Sequence, residues 1–189
     1  MNNNKKLKNM VLLAVLVALV FLLGQTPLGL IPLGFCYVTI LVIPVAVGTM
    51  YMGLKSGLLL GLAFGATSLI TAFTKPSALV APLMGANPFL MVVMTILPRL
   101  VVPLVIFLVY RMMAGKRPNV AAAVAAAAGS LTNTVLYLGL MLLFYVICGI
   151  DNTTVLTTIA AVAGGAGPAE AAAAAIICPP VMAALKKMR

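Results

Sequence analysis

Arg99 is a permanent positive charge in the middle of an apolar stretch, NPFLMVVMTILPRLVVPLVIFLVYR, that runs from Asn87 to Arg111. At about 1.5 Å per helical residue it lies roughly 18 Å from Asn87, near the midplane of a hydrocarbon core about 30 Å thick. A guanidinium at that depth costs about 2.5 kcal/mol or more, so such a residue faces a protein interior or a watery cavity. Arg is also the side chain best shaped to hold a carboxylate through two parallel hydrogen bonds. Any fold of this chain must therefore gather other helices around Arg99 and give it an anionic partner.

The remaining sequence supplies those helices. Hydrophobic residues make up 64% of the 189, charged residues 7%, and the mean hydropathy is +1.24, which excludes a soluble globular domain. The formal charge of +10 would suggest nucleic acid as partner in a soluble protein. Here the cations other than Arg99 sit at the ends of apolar runs, and there is no Trp or His to stack bases or bind metal. Cys36, Cys148 and Cys178 lack CxxC or His spacing, so neither a metal site nor a disulfide framework is indicated.

Residues 1–9 read as a basic cytoplasmic lead and 10–188 as one membrane domain, an all-α bundle of six transmembrane helices. The first span, Met10 to Leu23, is followed by no A-x-A cleavage site and is read as a retained helix. Ala14 and Ala18 stand on one of its faces, either admitting a partner helix closely or as ordinary lipid-facing alanines. Residues 24–37, GQTPLGLIPLGFCY, are broken by glycines and prolines and are expected to pack over the bundle as an apolar lid. Val38 to Leu54, interrupted by Pro44, forms the second span. Ser56 to Phe73, with a close-packing face at Gly57, Gly61 and Gly65, forms the third. The turn Gly53-Leu54-Lys55-Ser56 lacks the glycines of a phosphate-binding loop.

Lys75 to Asn87 reads as a second irregular segment leading into the Arg99 helix, where Pro98 and Pro103 free carbonyls beside the charge. The fifth span runs from Asn119 to Ile147 and carries Gly129-Ser130-Leu131-Thr132-Asn133-Thr134 in mid-membrane. Its hydroxyls can bond the backbone one turn back, whereas the Asn133 amide wants an interhelical or ligand partner. Gly164, Gly165 and Gly167 are expected to break the chain before a sixth helix from Pro168 to Met188. Glu170 suits the positive start of that helix, or else meets a ligand at the mouth of a pocket.

If every span crosses, Lys5, Lys6, Lys8, Lys55, Arg111, Lys116, Arg117, Lys186, Lys187 and Arg189 share one side, and only Lys75 and Asp151 fall on the other. The positive-inside rule then makes both termini cytoplasmic and puts the irregular loops outside. Arg99, Asn133 and Glu170 converge in the outer half, where a small ligand with an anionic group and amides or hydroxyls would suit them. The structural alternative is an Arg99–Glu170 ion pair holding the bundle, with Asn133 as interhelical glue.

The size, the six basic-ended spans, Ala14-x-x-x-Ala18 and the run TILVIPVAVGTMYMGLKSGLLLGLAFGATSLITAF resemble the substrate-binding S components of energy-coupling factor (ECF) vitamin transporters, over nearly the whole chain. The NPF start of span four, the Pro98-Arg99 pair and the string Gly129 to Thr134 look most like pantothenate-type S components. The resemblance implies high-affinity capture of a vitamin outside a prokaryotic plasma membrane. Delivery inward then follows by toppling, when the chain is joined to a transmembrane coupling subunit and two cytosolic ATPases. It implies docking of the coupling subunit at Ala14 and Ala18, and a gate in residues 24–37. Substrate contacts fall to Arg99, Asn133, Thr132, Glu170 and Asn87, with pantothenate's carboxylate at Arg99. No cofactor is expected in this chain, the partners using ATP, and no nucleic acid. Folate, riboflavin, pyridoxine or a queuosine precursor are alternative ligands. An autonomous secondary transporter is disfavoured by the lack of evident repeats and the small number of intramembrane ionisable groups. An enzyme is disfavoured because no His, paired carboxylates or nucleophile with a plausible base is present.

Overall fold

The computed structural model describes residues 2–26, 29–32, 37–77, 79–115, 117–151 and 153–187. Cys36, Lys116, Met188, Arg189 and part of the expected lid, residues 27, 28 and 33–36, lie outside the described residues. The chain folds as a helical bundle. Its helices are α1 (Asn2–Gln25), α2 (Val42–Met52), α3 (Leu54–Thr74), α4 (Val80–Ala86), α5 (Pro88–Met113), α6 (Pro118–Ile147), α7 (Thr153–Ala161) and α8 (Gly167–Lys187). Among the described residues, five segments are long and apolar enough to cross a membrane: Lys6–Gln25, Leu54–Thr74, Pro88–Met113, Pro118–Ile147 and Val155–Lys187.

The second expected span is shorter than its sequence suggests. Only Val42–Met52 is helical, about 16 Å at the usual rise. It is buried along nearly its whole length, from Val42 and Pro44 to Met50, so its neighbours rather than lipid surround it. Gly53, at φ 93°, makes the tight turn into α3, a backbone conformation that glycine adopts without strain. Ahead of α2 the described part of the 24–37 loop is not irregular: Leu30–Pro32 pairs antiparallel with Tyr37–Thr39, Ile31 opposite Val38.

Two further segments are more regular than expected. Residues 80–86 are helical despite Pro82, because a proline in the first turn removes a donor that has no helical partner there. The glycines at 164–167 do not break the last span either. Val162–Ala166 forms a π turn, closed by the Gly167 N–H on the Val162 carbonyl, and carries α7 into α8.

Helix α6 packs most extensively against α5 and α8, and α3 against α5. At Gly61 the approach of α3 to α5 is so close that a methyl group would collide with the Arg99 carbonyl. That carbonyl is the one whose helical donor Pro103 removes, so a glycine opposite it lets a neighbouring backbone cover an oxygen that its own helix leaves bare. Gly57 is similarly tight against Thr49, while Gly65 stands at ordinary contact distance from Ile96.

The buried residues fall into two apolar clusters. One joins Leu16, Val20, α2, Leu60, Val102, Ile106, Ala126 and Cys178 toward the end of the bundle that bears the cations. The other joins Leu83, Met91, Met94, Met141, Phe144 and Val155 under α4 and α7. Buried polar groups, Thr67, Thr95, Arg99, Ser130, Asn133 and Glu170, belong to neither.

Candidate functional site

All of these polar groups but Ser130 line a cavity of about 540 Å³, within the range of small-molecule sites. Helix α3 contributes Phe64, Thr67, Ser68 and Thr71, α5 contributes Thr95 and Arg99, and α6 contributes Asn133, Thr134, Tyr137 and Met141. Thr158, Val162, Ala166 and Glu170 add a wall from the α7–α8 rod, and Lys75, Ser77 and Leu79 stand where α3 leads to α4. The cavity lies toward the C-terminal ends of α1, α3 and α6, away from Lys55, Arg111, Lys186 and Lys187.

Arg99 is 8% exposed. Its guanidinium carbon lies 4.5 Å from the centroid of the Tyr137 ring and 5.3 Å from that of Phe64. Among the described residues its Nε and Nη1 have no hydrogen-bond partner. Glu170, also 8% exposed, is near enough for its charge to act on Arg99. An ion pair alone therefore leaves two guanidinium donors unsatisfied. Asn133 Oδ1 has no partner among the described residues, which counts against a role as interhelical glue. An orphaned buried donor or acceptor costs about 1–3 kcal/mol, more when charged, so a layer holding several is suited to an occupant.

The wall hydroxyls behave differently. Thr67 donates to the Phe64 carbonyl at 2.8 Å, Thr71 to Thr67 at 3.0 Å and Thr95 to Met91 at 2.8 Å. Each donor is satisfied within its own helix while the oxygen can still accept. Ser130, on α6 outside the wall, departs from that pattern: its hydroxyl is buried without a partner among the described residues.

The structure thus brings together Arg99, Asn133 and Glu170. Thr132 and Asn87 are not part of the cavity wall. The Thr132 hydroxyl donates to the Ala128 carbonyl at 2.7 Å. The Asn87 carboxamide oxygen accepts from the backbone N–H groups of Phe89 and Leu90, at 3.1 and 3.3 Å, capping α5. Ala14 and Ala18 are exposed on α1 and are not among the cavity residues. Sequence reasoning missed Tyr137, Phe64 and the α3 hydroxyls. Tyr137 had a signal, since it follows Asn133 by one helical turn; Thr67 and Thr71 share a face in the same way.

The family model described as "ECF transporter, substrate-specific component" matches residues 8–183. No curated protein matches the chain.

Proposed function

The chain belongs to the substrate-specific components of ECF transporters, and we propose that it captures a small vitamin with an anionic group, pantothenate fitting best. The observation that carries this reading is Arg99, buried beside a cavity with two donors unpartnered among the described residues. In the proposed complex a ligand carboxylate meets Arg99, while amide and hydroxyl groups meet Asn133, Thr134 and Glu170. Thr132 and Asn87, engaged with backbone groups, do not meet the ligand. Lys75, exposed at the rim, draws the anion toward the mouth.

The same proposal orients the bundle. All cations of the described residues except Lys75 and Arg99 gather at the end opposite the cavity. That end is then cytoplasmic, with both termini, in the cell membrane, and the cavity opens outward. Helix α2, lengthened by the strand before it, makes the sixth crossing. A coupling subunit docks on α1, whose membrane-length window is only 11% buried and whose Ala14 and Ala18 are exposed. Its ATPases supply the energy.

The test is equilibrium binding of the purified protein to a vitamin panel headed by pantothenate, without nucleotide. Tight pantothenate binding that Arg99→Ala removes is the expected result. Tight binding of another vitamin overturns the ligand and leaves the transport role, and unchanged binding in Arg99→Ala overturns the site.

A further inference from the structure

A second, apolar groove runs between α3 and α5, lined only by leucines and a valine, among them Leu59, Leu62, Leu97, Val101 and Leu104. Its residues continue into two helical stripes. On α3, Lys55, Leu59 and Leu62 follow at i, i+4 and i+7; on α5, Leu97, Val101, Leu104, Leu108 and Arg111 repeat the same spacing. The two helices run in opposite directions, so both stripes end in an exposed cation at the same end of the bundle. The Arg111 guanidinium sits 6.0 Å from the Phe107 ring centroid. Neither acidic side chain of the protein lies at that end, since Asp151 precedes α7 and Glu170 opens α8.

We propose that this groove binds an anionic phospholipid, an acyl chain lying between the leucine stripes and the phosphate meeting Lys55 and Arg111. The dimensions agree. From Leu97 to Arg111 is about 21 Å of helix, which spans one leaflet of hydrocarbon, about 15 Å, and reaches the headgroup layer. The chemistry agrees as well. Helices that pack on one another in a membrane meet at small residues, whereas this groove is walled by bulky, branched ones that a flexible acyl chain fills better. Two exposed cations at one end of the bundle, without an acid there, favour a lipid with net negative charge over a zwitterion, whose ammonium cancels the attraction.

The full-length protein in neutral detergent, titrated with phosphatidylglycerol or phosphatidylcholine and read by native mass spectrometry, tests this. Wild type is expected to retain phosphatidylglycerol selectively. K55Q/R111Q is expected to lose about thirty-fold in affinity for it, while K6Q/K8Q, with the same loss of charge elsewhere, retains it. Leu62→Trp, which fills the groove, is expected to release both lipids. All these side chains are exposed, and a monodisperse elution profile verifies that each variant is folded. Equal retention of the two lipids by wild type, or undiminished phosphatidylglycerol binding by K55Q/R111Q, overturns the proposal. So does a Leu62→Trp protein that keeps its lipid but no longer assembles with a coupling module, for then the groove belongs to a protein partner.

Discussion

The Arg99 guanidinium is stacked on Tyr137, 4.5 Å from the ring centroid, and Phe64 holds it from 5.3 Å. A cation over an aromatic face is worth about 2 kcal/mol when desolvated, which offsets part of the cost of burying the charge. The rings also restrict the guanidinium's freedom while leaving N–H groups at its edge unpaired. A charge held in this way is positioned before the ligand arrives.

Tyr137→Phe keeps the face of that ring and is expected to bind ligand within a few-fold of wild type. Tyr137→Ala removes it and is expected to weaken binding about tenfold or more, from the stacking contribution of about 2 kcal/mol. Calorimetry on the two variants makes the comparison; equal losses would mean that the hydroxyl, not the ring, carries the effect.

Gly61→Ala places a methyl group against the Arg99 carbonyl. The helices must separate or α5 must shift, at about 1–3 kcal/mol, and the displaced α5 carries Arg99 with it. A lowered melting temperature together with weakened ligand binding is expected. Wild-type stability and affinity would show that the α3–α5 contact yields easily.

Ala14 and Ala18 are exposed and do not line the cavity. Replacing both by Leu is expected to leave vitamin binding intact and to block uptake in cells that contain the energising module. Normal uptake by this variant would remove α1 from the docking surface.

Asp151 accepts the Thr153 backbone N–H at 3.1 Å and its hydroxyl at 2.9 Å, and these two bonds hold its carboxyl below the usual carboxylate range. Because the folded-state value is depressed, the support it gives α7 is fully present above the ordinary carboxylate range and is lost as pH falls through the depressed value. Amide exchange over Val155–Ala161, corrected for intrinsic rates, is expected to be flat from neutral pH to about pH 5 and to speed up at lower pH, while Asp151→Ala is fast throughout. A wild-type profile without that acid limb would show that the cap is dispensable.

The long helices were legible because a membrane span imposes length and hydropathy at once, and Arg99 was legible because a buried charge has few explanations. What escaped has local causes. The α4 helix was hidden by Pro82, which reads as a breaker in sequence and sits where a helix tolerates it. The π turn at Val162–Ala166 was hidden by glycines that signal a break, and its extra residue per turn has no sequence signature of its own. Tyr137 and Phe64 were hidden because an aromatic residue in an apolar helix is ordinary until a cation is placed beside it. Asn87 is a ligand contact only by the resemblance of the NPF run, and in the structure its side-chain oxygen caps α5.

The threonines on the cavity wall return their hydroxyl protons to their own helices, and this gives the site an uneven capacity to evolve. Exchanging Thr67, Thr71 or Thr95 for a residue of similar size strands no distant donor, so the wall can be recut for a new cargo by single steps. Arg99 offers no such freedom, for its removal leaves Glu170 and the rings around an uncompensated gap. If the cargo is the proposed anionic vitamin, its neutral part can change by such single steps while its acidic end stays tied to Arg99.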